Sequence, residues 1–239
     1  FAIFYLFKLE KITKLLPVIW AISFLVVVFS GEKAAFVLMI MSTFIIIIFS
    51  FKSLKIKIYY LITTIFLIFA LFYFAPSLQK RIVKGYIDNT HGGKYLYSIV
   101  HNQHFSTAIK MFYAKPFLGH GPRNFRKICS DKKFYSGTYS CSTHPHNIYL
   151  QLLSETGIVF FSIILFVFLY SCFKLYSLFK KRILYKENEY NYNFRLYSTL
   201  GIFINLFPFS TSGNFFNNWF SMILFFVFSF FLISTNNIK

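Results

Sequence analysis

All six histidines of the chain, His91, His101, His104, His120, His144 and His146, fall between Pro76 and Asn147. An imidazole titrates near neutral pH and can take up or deliver a proton at a reacting centre, so this cluster is the first candidate for acid–base chemistry. A hydrophilic loop also gathers polar residues simply because they avoid hydrocarbon. Position separates the two explanations: His144 and His146 close the loop, in the run Cys141-Ser142-Thr143-His144-Pro145-His146-Asn147, just before a long apolar stretch.

Pro145 suits the first turn of the helix expected there, with Thr143 or His144 as its cap. His146 would then sit in the first turn, where the positive end of the helix dipole disfavours imidazolium and attracts anions such as a diphosphate. A neutral histidine beside a phosphate site is a general-base candidate. Asn147, Gln151, Ser154 and Glu155 follow at spacings of three and four, a polar stripe entering an otherwise apolar helix. An acid at that depth is a functional candidate by default, with a structural hydrogen bond to a neighbouring element as the alternative for Glu155. Cys129 and Cys141 precede the histidines and are expected to form a disulfide if the loop lies in an oxidising compartment. A zinc site of Cys129, Cys141, His144 and His146 is the rival, although its spacings do not match the usual paired-ligand patterns. Cys172 fits a buried small residue.

Phe117-Leu118-Gly119-His120-Gly121-Pro122-Arg123-Asn124-Phe125 is a glycine-punctuated turn in the same loop, in which Gly119 and Gly121 allow close backbone approach to a ligand. Arg123 offers a planar donor array for phosphate oxygens, or is a solvated surface arginine. Lys33 follows Gly31-Glu32 in a tight turn; it is either salt-bridged or snorkelling, or it contacts a lipid-linked diphosphate at the membrane surface.

The elements that must position these residues are membrane helices. Of 239 residues, 56% are hydrophobic and only 13% charged, and mean hydropathy is +0.58, which excludes an ordinary soluble domain. Apolar segments are expected at Leu15–Ser30, Ala34–Phe51, Ile58–Ala75, Ile148–Phe173, Leu196–Phe209 and Trp219–Ile233. Lysine and arginine in short loops are retained in the cytoplasm, and every second junction is basic: Lys8, Lys11 and Lys14; Lys52, Lys55 and Lys57; then Lys174, Lys180, Lys181, Arg182, Lys186 and Arg195. The alternate junctions, including the Pro76–Pro145 stretch, should face the periplasm. The expected organisation is all-α and polytopic. Residues 1–75 hold a partial helix and three spans, 76–147 form a long, partly helical periplasmic loop, and 148–239 hold three spans with a basic loop at 174–195. Phe1 in place of Met, with the apolar run to Phe7, is taken as the tail of an earlier segment, so the chain is expected to be the C-terminal part of a longer protein. No cleavable signal peptide is visible.

The net charge of +18 is partly topogenic. The rest gathers in the long loop, where Lys80, Arg81, Lys84, Lys94, Lys110, Lys115, Arg123, Arg126, Lys127, Lys132 and Lys133 face only Asp88 and Asp131. That excess suits an anionic ligand. No compact basic domain or nucleic-acid motif accompanies it, so no nucleic-acid partner is expected.

Taken together, these residues resemble the O-antigen ligase and polymerase superfamily. His146-Asn147, followed by nine residues and Gly157, is similar to the histidine-polar-x9-glycine pattern of the ligases. Pro116 to Phe125 resembles the family's P-x-x-G-x-G-x-x-x-F segment, and Ser30-Gly31-Glu32-Lys33-Ala34 its S-G-x-R-x turn. Lys33 stands where the family usually has arginine, a point charge in place of a bidentate fork. The stretch from Lys94 to Lys110 holds His101, His104 and Lys110 but no counterpart of the family's other periplasmic arginine. The resemblance implies an inner-membrane glycosyltransferase of the metal-independent, inverting type, without a cofactor. It would move glycan from undecaprenyl diphosphate to lipid A core or, as a polymerase, to a second lipid-linked glycan. His146 would activate the acceptor hydroxyl, while Lys33, Arg123, His144, Asn147 and Glu155 would serve the diphosphate and substrate. A transporter is the alternative of another class, against which the polar residues cluster at one outer mouth.

Overall fold

The computed structural model describes residues 1–7, 14–51, 53–90, 92, 95–184 and 188–235, and among these residues it is helical without a strand. The topogenic Lys8, Lys11, Lys52 and Lys186, and His91 and Lys94 of the loop, lie outside the described residues. The helices are α1 (Ala2–Leu6), α2 (Leu16–Ser30), α3 (Lys33–Ser50), α4 (Leu54–Phe74), α5 (Pro76–Gln79), α6 (Gly85–Asn89), α7 (Ile99–Ala114), α8 (Phe125–Ile128), α9 (Ile148–Leu184), α10 (Glu189–Asn205) and α11 (Asn218–Thr235), with one π turn at Lys80–Lys84.

Helices α3, α4, α9 and α11 are long and apolar enough to cross a membrane, and α2 is apolar but shorter. Hydrocarbon offers no partner for peptide groups, so a run of Leu, Ile, Val and Phe there satisfies its own backbone by coiling. The outward faces agree: Phe66, Phe69, Phe166 and Phe225 are all exposed, as side chains facing lipid would be. This is an all-α integral membrane protein.

The fifth expected segment needs correction. Instead of spanning Leu196–Phe209, α10 begins at Glu189 and ends at Asn205. Its first half carries Glu189, Asn191, Asn193 and Arg195, so it lacks the unbroken apolar length of a span, and Pro208 disfavours helix just beyond its end. Tyr192 and Leu196 pack with Leu175 and Leu178 of α9.

The chain forms two compact units. One comprises Phe1–Tyr86, Ser171–Ile204 and Val227–Lys239, and has a core of Phe24, Val28, Leu78 and Ile82. The other comprises Ile87–Tyr170 and Asn205–Phe226, with Ala108, Met111, Phe125, Cys129 and Phe134 packed at its centre. In the latter, α7 is capped by Ser98, whose side chain accepts from the His101 N–H at 3.3 Å, and α9 is interrupted at Gly157, with φ 68° and ψ −168°.

Candidate functional site

The break in α9 organises the second unit. A kink at Gly157 leaves the Ser154 and Glu155 carbonyls without their helical donors. The glycine-rich turn supplies replacements: the His120 N–H donates to Ser154 O at 3.1 Å and the Gly121 N–H to Glu155 O at 2.7 Å, while the Ile158 N–H donates to Pro116 O at 2.8 Å. A Cβ on Gly157 would overlap the Phe117 carbonyl, and one on Gly119 would overlap the Glu155 peptide. The glycines at 119 and 157 are thus two halves of one backbone joint.

The polar stripe on α9 holds loops in place. Glu155 is fully buried; one carboxylate oxygen accepts from the Phe125 N–H at 2.8 Å and the other from Gln151 Nε2 at 3.0 Å. Gln151 also donates to Asn214 Oδ1 at 2.8 Å and accepts from the Phe215 N–H at 2.9 Å. Its side chain therefore ties Glu155 to the connector that precedes α11. Every one of these bonds goes to backbone or to another side chain of the protein.

The expected start of α9 also shifts. The helix begins at Ile148 and its cap is Asn147, whose Oδ1 accepts from the Leu150 N–H at 3.1 Å and whose Nδ2 donates to Pro208 O at 2.8 Å. Neither Thr143 nor His144 caps it, and Pro145 and His146 precede the first turn instead of occupying it. A carboxamide both accepts and donates, so Asn147 can close the helix and hold the 208–210 segment at once. His146 adopts φ 59°. Arg123, also at φ 59°, is the other non-glycine residue with positive φ among the described residues. Such conformations are costly for L-residues and gather where structure is arranged for function.

Four imidazoles meet around His146. Its ring centroid lies 4.2 Å from that of His144, and 5.3 Å from those of both His101 and His104. His101 and His104 share one face of α7 by their spacing. His146 Nε2 is 3.1 Å from Ser142 Oγ. His144 is fixed from both sides: Nε2 donates to Ser212 O at 3.1 Å and Nδ1 accepts from the Thr143 hydroxyl at 2.8 Å. The Ser212 N–H in turn donates to the His146 carbonyl at 2.9 Å. Burial, reinforced by the neighbouring His146 charge, pushes His104 and His144 down to about 4. Burial and then His146 lower His101, and burial lowers His146 itself. All four are therefore neutral at neutral pH. His120 stands apart, its Nε2 3.0 Å from Met111 O.

Cys129 and Cys141 are joined, their Cα atoms 5.2 Å apart, and the bridge takes two of the four ligands of the zinc alternative. The Cys141 backbone lies close enough to the His104 ring to influence its titration, so the bridge adjoins the imidazole cluster. The Arg123 guanidinium, expected to be open to phosphate, donates through Nε and Nη2 to the Phe216 carbonyl and through Nη2 to Asn218 Oδ1 at 3.4 Å.

The family model of O-antigen ligases matches residues 18–165, a stretch that holds the glycine-rich turn, the imidazole cluster and the break in α9. The chain belongs to the O-antigen ligase family. No curated protein and no solved structure matches it.

The first unit of this O-antigen ligase family member contains Lys33, the first residue of α3 and half-buried. The preceding Gly31 closes α2 with φ 69°, its N–H donating to Val28 O at 3.1 Å. The guanidinium of Arg81 lies against Gly31 where a Cβ would be, and the Lys33 ammonium would stand 3.3 Å from a Cβ on Gly85. Arg81 thus packs over the Gly31 turn while Lys33 reaches Gly85, so two cations belong to this same pair of segments. Charge counting alone had left Arg81 among many loop cations. Also missed was the Ser210–Asn217 connector, which seemed an uncharged turn and supplies partners to His144, Asn147 and Gln151. Its density of asparagine was the available signal.

Proposed function

We propose that the protein transfers glycan from undecaprenyl diphosphate to an acceptor hydroxyl at the periplasmic face of the bacterial inner membrane, with His146 as general base. In this reading the acceptor oxygen attacks the anomeric carbon as its proton passes to the His146 imidazole. A new C–O bond forms, the bond from the anomeric carbon to the diphosphate oxygen breaks, and the diphosphate leaves with the electron pair and inversion at carbon. The donor is already activated by its diphosphate, so the step calls for no metal or cofactor. Lys33 and Arg81 are cations suited to such a leaving group, whereas Glu155 and Asn147 act by positioning the loops around His146.

The observation that carries this reading is the imidazole cluster centred on a left-handed His146, in a chain of the O-antigen ligase family. Lipid A core is the proposed acceptor. A polymerase would use a second lipid-linked glycan and differ only there. The test is the lipopolysaccharide banding of a deletion strain complemented with the complete gene. His146→Ala should leave long lipid-linked polymer unattached, with transfer lowered by about two to four orders of magnitude. Full transfer by that variant would remove the assignment.

A further inference from the structure

A cavity of about 470 Å³ opens beside His144, lined by Arg126, Thr143, Asn214, Asn217 and Asn218 among others, without a carboxylate. Three of its walls are asparagines, and in each the carboxamide oxygen is already used. Asn214 Oδ1 accepts from Gln151 Nε2 at 2.8 Å and the Phe216 N–H at 2.9 Å. Asn217 Oδ1 accepts from the Trp219 N–H at 3.2 Å, and Asn218 Oδ1 from Arg123 Nη2 at 3.4 Å. These bonds fix the amide orientations, so the ends left for the cavity are NH2 donors. Arg126 is exposed on the same wall and adds a guanidinium. His144 has both ring nitrogens engaged, and the Thr143 hydroxyl hydrogen is directed at His144 Nδ1. The side-chain groups facing the cavity are therefore rich in donors and positive.

We infer that this cavity is an oxyanion-binding subsite, in which Arg126 and the amide groups of Asn214, Asn217 and Asn218 hold a phosphate or carboxylate group of the substrate beside His144. A neutral sugar ring presents hydroxyls that must both donate and accept, and the NH2 ends meet only its acceptors. A phosphate or carboxylate presents acceptors alone and gains charge-assisted bonds from the guanidinium. The inference rests on the glycan-transfer reading for where such a ligand comes from. Two sources share this chemistry: the diphosphate of the lipid donor and an acidic sugar of the glycan.

The test is binding of inorganic pyrophosphate, glucuronate and glucose to the full chain in lipid nanodiscs, followed by calorimetry or thermal shift. At least one anionic probe should bind saturably and glucose should not. Arg126→Gln should weaken that binding about tenfold or more, the size of losing a hydrogen bond to a charged group. Asn217→Asp should do the same, because it keeps the oxygen that receives the Trp219 N–H while replacing donors by a negative charge. Tighter pyrophosphate binding assigns the site to the lipid donor, and tighter glucuronate binding assigns it to the glycan. Absence of binding by both anions, equal binding of glucose, or unchanged affinity in either variant overturns the inference. The two readings fail separately. Loss of transfer in His146→Ala with Arg126→Gln binding normally removes the subsite alone, and normal transfer by His146→Ala with impaired probe binding in Arg126→Gln removes the general-base assignment alone.

Discussion

The rings of His144 and His146 lie 4.2 Å apart across Pro145, and each residue is bonded to Ser212, one through its ring and the other through its carbonyl. Two neutral imidazoles at that distance cannot both be protonated without strong repulsion. Folded His104 and His144 take up a proton only near pH 4, whereas the ordinary value for an unfolded histidine is 6.5. Between those values the unfolded chain binds more protons than the folded one, so stability declines as pH falls from about 6.5 towards 4. The melting temperature in detergent should drop over that interval, and the drop should shrink in His104→Gln. A flat profile between pH 7 and 4 would contradict the buried, neutral state of these rings.

Transfer should lose activity on the acid side with an apparent midpoint below 6.5, since burial lowers His146 from its ordinary value. The pH dependence of initial rate, measured with a purified lipid-linked donor, checks this. A midpoint well above 6.5 would point to another group.

Gly157→Ala should destabilise the second unit by about 1–3 kcal/mol from backbone conformation alone, because φ 68° with ψ −168° belongs to glycine. The added methyl also meets the Phe117 carbonyl, so the glycine-rich turn must move. Thermal unfolding in detergent reads the first effect. Faster proteolysis within Pro116–Arg123 reads the second.

Gln151→Leu should cost about 1–3 kcal/mol, since it strands the Phe215 N–H and removes the Nε2 donor from Glu155 and Asn214. Glu155→Gln should be milder than Glu155→Ala, because its remaining amide oxygen can still accept from the Phe125 N–H. Equal losses in the two Glu155 variants, measured by unfolding, would show that the carboxylate is not holding that loop.

Replacing both Cys129 and Cys141 by serine opens a short loop and should remove about 2–4 kcal/mol. The Cys141 backbone also adjoins the His104 ring, and Ser142 faces His146. Transfer should therefore fall in the double variant even at temperatures where it remains folded, which a rate measurement well below its melting temperature resolves.

The membrane helices were legible because an apolar run of bilayer length needs no knowledge of its neighbours. The histidine pair was legible for a similar reason: it stands at a boundary between a polar loop and such a run. What could not be foreseen are bonds between distant residues. Phe125 and Glu155 are thirty positions apart, and nothing local marks Glu155 as the anchor of that loop. The cap of α9 was misplaced because Pro145 suits a first turn in isolation, while Asn147 gains a second bond, to Pro208, that only the folded chain offers. In α10 the apolar residues after Leu196 resembled a span, yet the helix starts among the polar residues before them.

The φ of 59° at His146 restricts which replacements report on chemistry alone. Asparagine and glycine enter that backbone region with little penalty, whereas most residues, and the β-branched ones above all, resist it. In a saturation library at this codon, folding and turnover should part company: His146→Asn should reach the membrane intact and yet be inert, while His146→Val should fail at both.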